Sequence, residues 1–124
     1  VTALDEARLH LAKAREFLAA AEVNHDLALY NAAASNAVSS GINSRDAICL
    51  ALTGRSAKTD NHAQAVAELQ ATGQGGRRLA PTLDRLLRLK PKAQYQSETV
   101  SAANAAKAID WAARLLDAAE AATR

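Results

Sequence analysis

Arg85, Arg88, Lys90 and Lys92 crowd into RLLRLKPKAQYQS, residues 85–97, together with Tyr95, one of only two tyrosines in the chain. A guanidinium offers a two-pronged fork to phosphate, an ammonium adds a compact positive charge, and a phenol ring can stack on a base. Such a set suits a nucleotide or an RNA. Widening the window to residues 77–92 adds Arg77 and Arg78 against a single acid, Asp84. The same cations would also serve as the solvated face of a helix, and Tyr95 as the closure of a bundle end.

A second group is Arg55 and His62. A histidine at the start of a helix, near an arginine, can move a proton beside a phosphate that the cation holds. It can equally cap or pack. Arg45 and Asp46 form a third group, because Arg45 falls on the apolar stripe of its helix. A buried guanidinium must find partners, and Asp46 projects in another direction, so both invite pairing across the bundle.

Other chemistries find less in the sequence. His10, His25 and His62 fall on three different segments without the local spacing of helical metal sites, so no metal is expected, nor any cofactor. Cys49, the only cysteine, lies between Ile48 and Leu50 and reads as a small hydrophobe. Ser39, Ser40 and Ser44 have no histidine within the same turn to activate them. The acids stand beside cations on helix faces rather than as a catalytic pair.

The elements that must position these residues are helical. Alanine dominates, β-branched residues are sparse and no strand-like alternation occurs, so the fold class is all-α. Leu4, Ala7, Leu11, Ala14, Leu18 and Ala21 mark a first helix started by Thr2 or Asp5, with Asn24, His25 and Asp26 ending it and capping the next. A second helix is predicted from about Leu27 to Thr53, with Leu27, Tyr30, Ala34, Ala37, Gly41, Ile48 and Leu52 inward and Gly54 as its stop. Thr59 is expected to cap a short third helix bearing Ala63, Val66, Ala67 and Leu69 and ended by Gly73. Residues 73–76 read as a turn, without the Lys-Ser or Lys-Thr that a phosphate-cradling loop would carry. A fourth helix should begin at Arg77 or Ala80 and run to Lys90, with Pro81 in its first turn and Pro91 as its terminator. Tyr95 then lies in an extended connector, and Ser101 caps a last helix carrying Ala105, Ile109, Ala112, Leu116 and Ala119. Together they make an antiparallel up-and-down bundle of four to five helices, one domain over residues 1–124.

Composition bounds the function. A net charge of +2 over 124 residues does not by itself imply nucleic acid or a membrane, and a single cysteine suits a reducing compartment. The N-terminal stretch is charged throughout, unlike a signal peptide, and no run reaches the length of a membrane span, so a cytoplasmic protein without membrane contact is expected. Alanine-rich seams bury little area per residue, which favours a homodimer.

With these elements placed, the chain resembles the HEPN family (higher eukaryotes and prokaryotes nucleotide-binding domains), as a small bacterial member. The likeness covers an amphipathic first helix, NSRDAICLALTGR, NHAQAVAEL and LLRLKPKAQYQSETVSAANAAKAIDWAARLL. It implies a helical bundle concerned with nucleotides or RNA. In family members that cut RNA without metal, an arginine is followed after four to six residues by a histidine, often with a tyrosine two further on. Arg88 matches that arginine and Tyr95 the tyrosine, but Ala93 stands where the histidine would be. The resemblance therefore implies a non-catalytic domain that binds a nucleotide, RNA or a partner protein through Arg85, Arg88, Lys90, Lys92, Tyr95 and His62. One alternative is a metal-independent endoribonuclease using Arg55 and His62, whose spacing also fits. Another is a pure interaction or dimerisation module, pairing with a nucleotidyltransferase-like protein in a toxin–antitoxin or defence system.

Overall fold

Thr2 accepts a hydrogen bond from the Asp5 amide while the Asp5 carboxylate accepts one from the Thr2 amide. This reciprocal cap satisfies two otherwise orphaned donors and starts α1 (Ala3–Asp26). The computed structural model describes residues 1–58 and 60–124. After α1 come α2 (Tyr30–Thr53), α3 (His62–Gln70), α4 (Gln74–Leu87), α5 (Lys90–Gln94) and α6 (Ala102–Ala122). No strand occurs among the described residues.

The four longest helices form the bundle, and α2 is its centre. Ser40 donates to the Ala14 carbonyl at 2.8 Å, and His10 meets Asn43, so α1 and α2 run antiparallel. Arg8 reaches the Thr123 carbonyl at one end of α1 and His25 the Ala102 carbonyl at the other, which sets α6 antiparallel to α1. The seam of α1 is as its spacing predicts: Ala7, Leu11, Ala14, Leu18 and Ala21 are buried. Opposite them α2 buries Ala33, Ala34, Ala37, Ser40 and Gly41. Small side chains let the axes approach. At Gly41 an added Cβ would lie 2.3 Å from Leu86 Cδ2 and 3.3 Å from Leu115 Cδ1, where α4 and α6 close on α2. The last helix is capped by Ser101, which accepts from the Asn104 amide, and buries Ala105, Ala112, Leu116 and Ala119 with Ile109 half-buried.

Several boundaries differ from the sequence expectation. The run Asn24, His25, Asp26 forms the last turn of α1, and Leu29, without a side-chain cap, precedes α2. Ala28 makes the turn at φ 60°, a left-handed conformation that disfavours a Cβ. Leu27 therefore lies outside α2 and is exposed, as is Leu52. Gly54 does stop α2 at φ 74°. The expected cap Thr59 lies outside the described residues; Asn61 caps α3 by accepting from the Gln64 amide. In α3 only Leu69 is fully buried, and Ala63 and Ala67 face solvent.

The largest correction concerns α4. It begins at Gln74, so Gly75 and Gly76 are helical rather than part of a turn, and Pro81 falls in the helix interior. The reason lies at Gly76. A Cβ there would meet the Leu69 carbonyl oxygen at 2.0 Å and Thr72 Oγ1 at 2.1 Å, so only glycine permits α4 to close on the end of α3. Pro81 lies on the exposed side of the helix, and one helical hydrogen bond is forgone there. Likewise Pro91 does not end α4, which stops at Leu87. It occupies the first turn of α5, where a missing amide proton costs little. Tyr95 caps α5 instead of lying in an extended connector.

Candidate functional site

Arg45 is the most buried charge in the bundle, 3% exposed, and all three of its guanidinium nitrogens are engaged. Nε donates to the Ala65 carbonyl, Nη1 to Asp46, Ser56 and the Ala57 carbonyl, and Nη2 to Glu68. The expectation that Asp46 points elsewhere is thus overturned: Asp46 Oδ1 lies 2.6 Å from Arg45 Nη1 and also accepts from Ser56. Both residues also pair across the bundle, Arg45 to Glu68 on α3 and Asp46 to His10 on α1. Two carboxylates offset the single charge of Arg45, and its hydrogen bonds run to the protein's own acceptors. What it does is pin residues 56 and 57, together with α3, to α2.

That pinning shapes a cleft of about 840 Å³, walled by α1, α2, α3, α4 and α5. Its apolar surface comes from Ile42, Leu83, Leu87 and Pro91. Its polar surface comes from His10, Lys58, Asp60, His62, Lys90 and Tyr95, besides Arg45 and Asp46. The charges lining the cleft are Arg45, Lys58 and Lys90 against Asp46 and Asp60, and Glu68, paired with Arg45, brings the balance to neutral. Tyr95 is 74% exposed at the edge, a ring open to stacking rather than a half-buried closure of the bundle end.

Each histidine in the cleft is held by a second group. Asn43 donates its amide to the Ser39 carbonyl, which fixes Asn43 Oδ1 towards His10, so His10 Nδ1 is the donor in their 2.9 Å bond. Asp46 lies near the same nitrogen at 3.9 Å. His62, the first residue of α3, donates from Nε2 to Asp84 Oδ1 at 2.7 Å. The other oxygen of Asp84 accepts from Arg88, at 3.1 Å from Nε and 3.0 Å from Nη2. The His62 hydrogen bond, followed by those of Arg88, holds the Asp84 carboxyl below its ordinary range.

The sequence-predicted residues thus divide. His62, Lys90 and Tyr95 share the cleft, and Arg88 joins them through Asp84 at its rim. Arg85 lies with Arg77, Arg78 and Arg88 on the exposed face of α4, a basic stripe beside the cleft, while Lys92 pairs with Glu98 at 3.5 Å. Ala93 packs half-buried against the core and does not line the cleft. Arg55 belongs to a different groove of about 690 Å³, with Cys49 and Glu68, so His62 and Arg55 face separate cavities. Cys49 itself is buried, and burial pushes its thiol pKa up, away from nucleophilic use. Among the described residues no group of His, Cys, Asp or Glu is arranged to hold a metal ion, and no helix is long and apolar enough to cross a membrane.

Sequence reasoning missed Asp84 as an organiser, and His10, Lys58 and Asp60 as lining residues. The spacing of Asp84 and Arg88 by one helical turn was a usable signal; the approach of His62 depends on the α3–α4 corner and had none. The family model described as HEPN domain matches residues 7–122 of this chain. No curated protein matches it significantly.

Proposed function

The chain belongs to the HEPN domain family, which supports a nucleotide- or RNA-related role, and we propose that it is a non-catalytic member that binds a nucleotide or RNA in the cleft. The observation that carries this is the meeting of His62, Lys90 and Tyr95 in one cleft beside the α4 basic stripe. A base can stack on the Tyr95 ring and cover Leu83, Leu87 and Pro91, while phosphates meet Lys58 and Lys90. The backbone of a longer RNA would continue along Arg77, Arg78 and Arg85. Absence of cleavage follows from Ala93, which supplies no imidazole and does not line the cleft.

A ribonuclease built on Arg55 and His62 would need both groups at one phosphate, and they face different grooves. Geometry therefore favours binding. Pairing with a second copy or with a nucleotidyltransferase-like protein, in a toxin–antitoxin or defence setting, is compatible with this role. Exposed Val23, Leu27 and Leu29 at the α1–α2 corner offer apolar area for such contacts.

The test is fluorescence anisotropy with a single-stranded RNA over a salt series. For each phosphate neutralised, the affinity should fall by about 0.7 log units per log unit of salt. An affinity indifferent to salt, or no binding at low salt, would remove the proposal. Cleavage in the presence of a chelator that disappears in His62→Ala would replace it with the ribonuclease.

A further inference from the structure

His62 and Arg88 come from different helices and converge on one carboxylate, Asp84, at the rim of the cleft. Each takes a different oxygen: His62 Nε2 lies 2.7 Å from Oδ1, and Arg88 Nη2 lies 3.0 Å from Oδ2. Two donors separated so as to straddle two oxygens of one anion are a phosphate-binding arrangement as much as a carboxylate-binding one, because the oxygens of both groups are similarly spaced. Asp84 is only partly covered, with 34% of its side chain exposed, and Arg88 is 73% exposed. The carboxylate can therefore rotate away and the guanidinium can follow a ligand without opening the core.

We propose that His62 and Arg88 form a phosphate subsite of the cleft, and that Asp84 is a built-in competitor which occupies it until a ligand phosphate displaces it. This rests on the cleft being the binding site. The physical reason is that Asp84 and a phosphate cannot share the same donors: they repel, and each offers acceptors only. Binding then exchanges one anion for another, so selectivity favours groups of higher charge than a carboxylate. A neutral nucleoside gains nothing from the exchange. A phosphate held there would leave Tyr95, which lines the same cleft as His62, to the base.

The inference is tested by calorimetric titration of wild type, Asp84→Asn, Asp60→Asn and the Asp84→Asn/His62→Ala double variant. Circular dichroism on each confirms that the bundle is retained. The probes are adenosine 5′-monophosphate, adenosine and inorganic phosphate. Asp60 lies on the cleft wall outside the His62–Asp84–Arg88 group, so Asp60→Asn measures the effect of removing one nearby negative charge. Asp84→Asn should bind the monophosphate about tenfold more tightly, Asp60→Asn by a smaller factor, and the double variant should lose the gain. Adenosine affinity should stay unchanged across the set. Parallel gains with inorganic phosphate would assign the effect to the phosphate alone; a gain only with the monophosphate would assign it to a phosphate that the base helps to anchor. Both support the subsite.

Equal gains from Asp84→Asn and Asp60→Asn would reduce the effect to general charge and overturn the subsite. RNA binding by wild type, with a monophosphate affinity indifferent to Asp84→Asn, overturns the subsite and leaves the cleft reading standing. If none of the proteins binds RNA or any probe, both fall.

Discussion

His62 Nε2 and Asp84 Oδ1 are 2.7 Å apart, and this bond ties the first residue of α3 to the middle of α4 on the rim of the cleft. Because the oxygen belongs to a carboxylate and the nitrogen to an imidazole, the bond also fixes which ring nitrogen carries hydrogen. The other oxygen of the same carboxylate takes Arg88, so one negative charge holds both donors.

The folded-state pKa of Asp84 is lowered by His62 and then Arg88, so its stabilising contribution is present above the unfolded carboxylate pKa of about 3.9. It is lost as pH falls through the lower folded value. Melting temperatures of wild type and Asp84→Asn should therefore differ at pH 6, and the gap should begin to narrow as pH falls below about 4. Because Asp84 is partly exposed, the difference should be small and should shrink in high salt. A gap of the same size at pH 6 and throughout the acid range in which the protein stays folded would show that the two interactions contribute nothing through charge.

Gly76→Ala should destabilise the protein by about 1–3 kcal/mol in urea unfolding. Its Cβ would strike the Leu69 carbonyl oxygen, which is backbone and cannot swing aside. The α3–α4 corner must then open, and the His62–Asp84 bond should lengthen with it. Unchanged stability would mean that the corner gives easily and does not position the site.

Arg45→Ala leaves Asp46 and Glu68 without their shared cation and unpins residues 56 and 57. A loss of about 3–5 kcal/mol is expected, as for other broken buried pairs. Arg45→Lys should recover little of it, since a single ammonium cannot reach acceptors on three sides. Full rescue by lysine would show that charge alone, without the fork, organises the wall of the cleft.

Much of the bundle was legible because its signals are local. Thr2, Ser101 and Gly54 act on their own helix ends, and the alanine seam of α1 is a matter of spacing. Where tertiary contact outweighed local preference, the expectation failed. Gly75 and Gly76 look like a turn because glycine disfavours helices, yet Gly76 is helical because α4 must pass against Leu69. Pro91 reads as a stop, yet it opens a short helix after Leu89. Leu27 and Leu52 fit the apolar period expected of α2, but Leu27 precedes the helix and Leu52 lies in its last turn, and both are exposed.

The site followed the same division. Lys90, Tyr95 and His62 could be picked out by residue type, and Arg88 by its place in RLLRLKPKAQYQS. The separation of Arg55 from His62 could not, since their closeness in sequence spans the end of one helix and the start of another. Nor could the capture of Arg45 by Asp46, its sequence neighbour, which depends on the guanidinium folding back beneath residues 56 and 57.

Replacing the residues that meet a ligand should separate charge from stacking. Lys90→Ala should weaken RNA binding and reduce its salt slope by about 0.7, at every sequence alike. Tyr95→Ala should weaken it by about 1–3 kcal/mol while leaving the salt slope unchanged. Anisotropy titrations at several salt concentrations read both quantities. A slope that changes with Tyr95→Ala but not with Lys90→Ala would reverse the assigned roles.

The central claim, that RNA or nucleotide binds in the cleft walled by His62, Lys90 and Tyr95, is tested most directly by amide and histidine side-chain chemical shifts during titration with a short single-stranded RNA. Shifts should concentrate at His62, Asp84, Lys90 and Tyr95 and extend along Arg77, Arg78 and Arg85, leaving Arg55 and Cys49 unmoved. Shifts confined to the groove of Arg55 and Cys49, or none at saturating RNA, would contradict it.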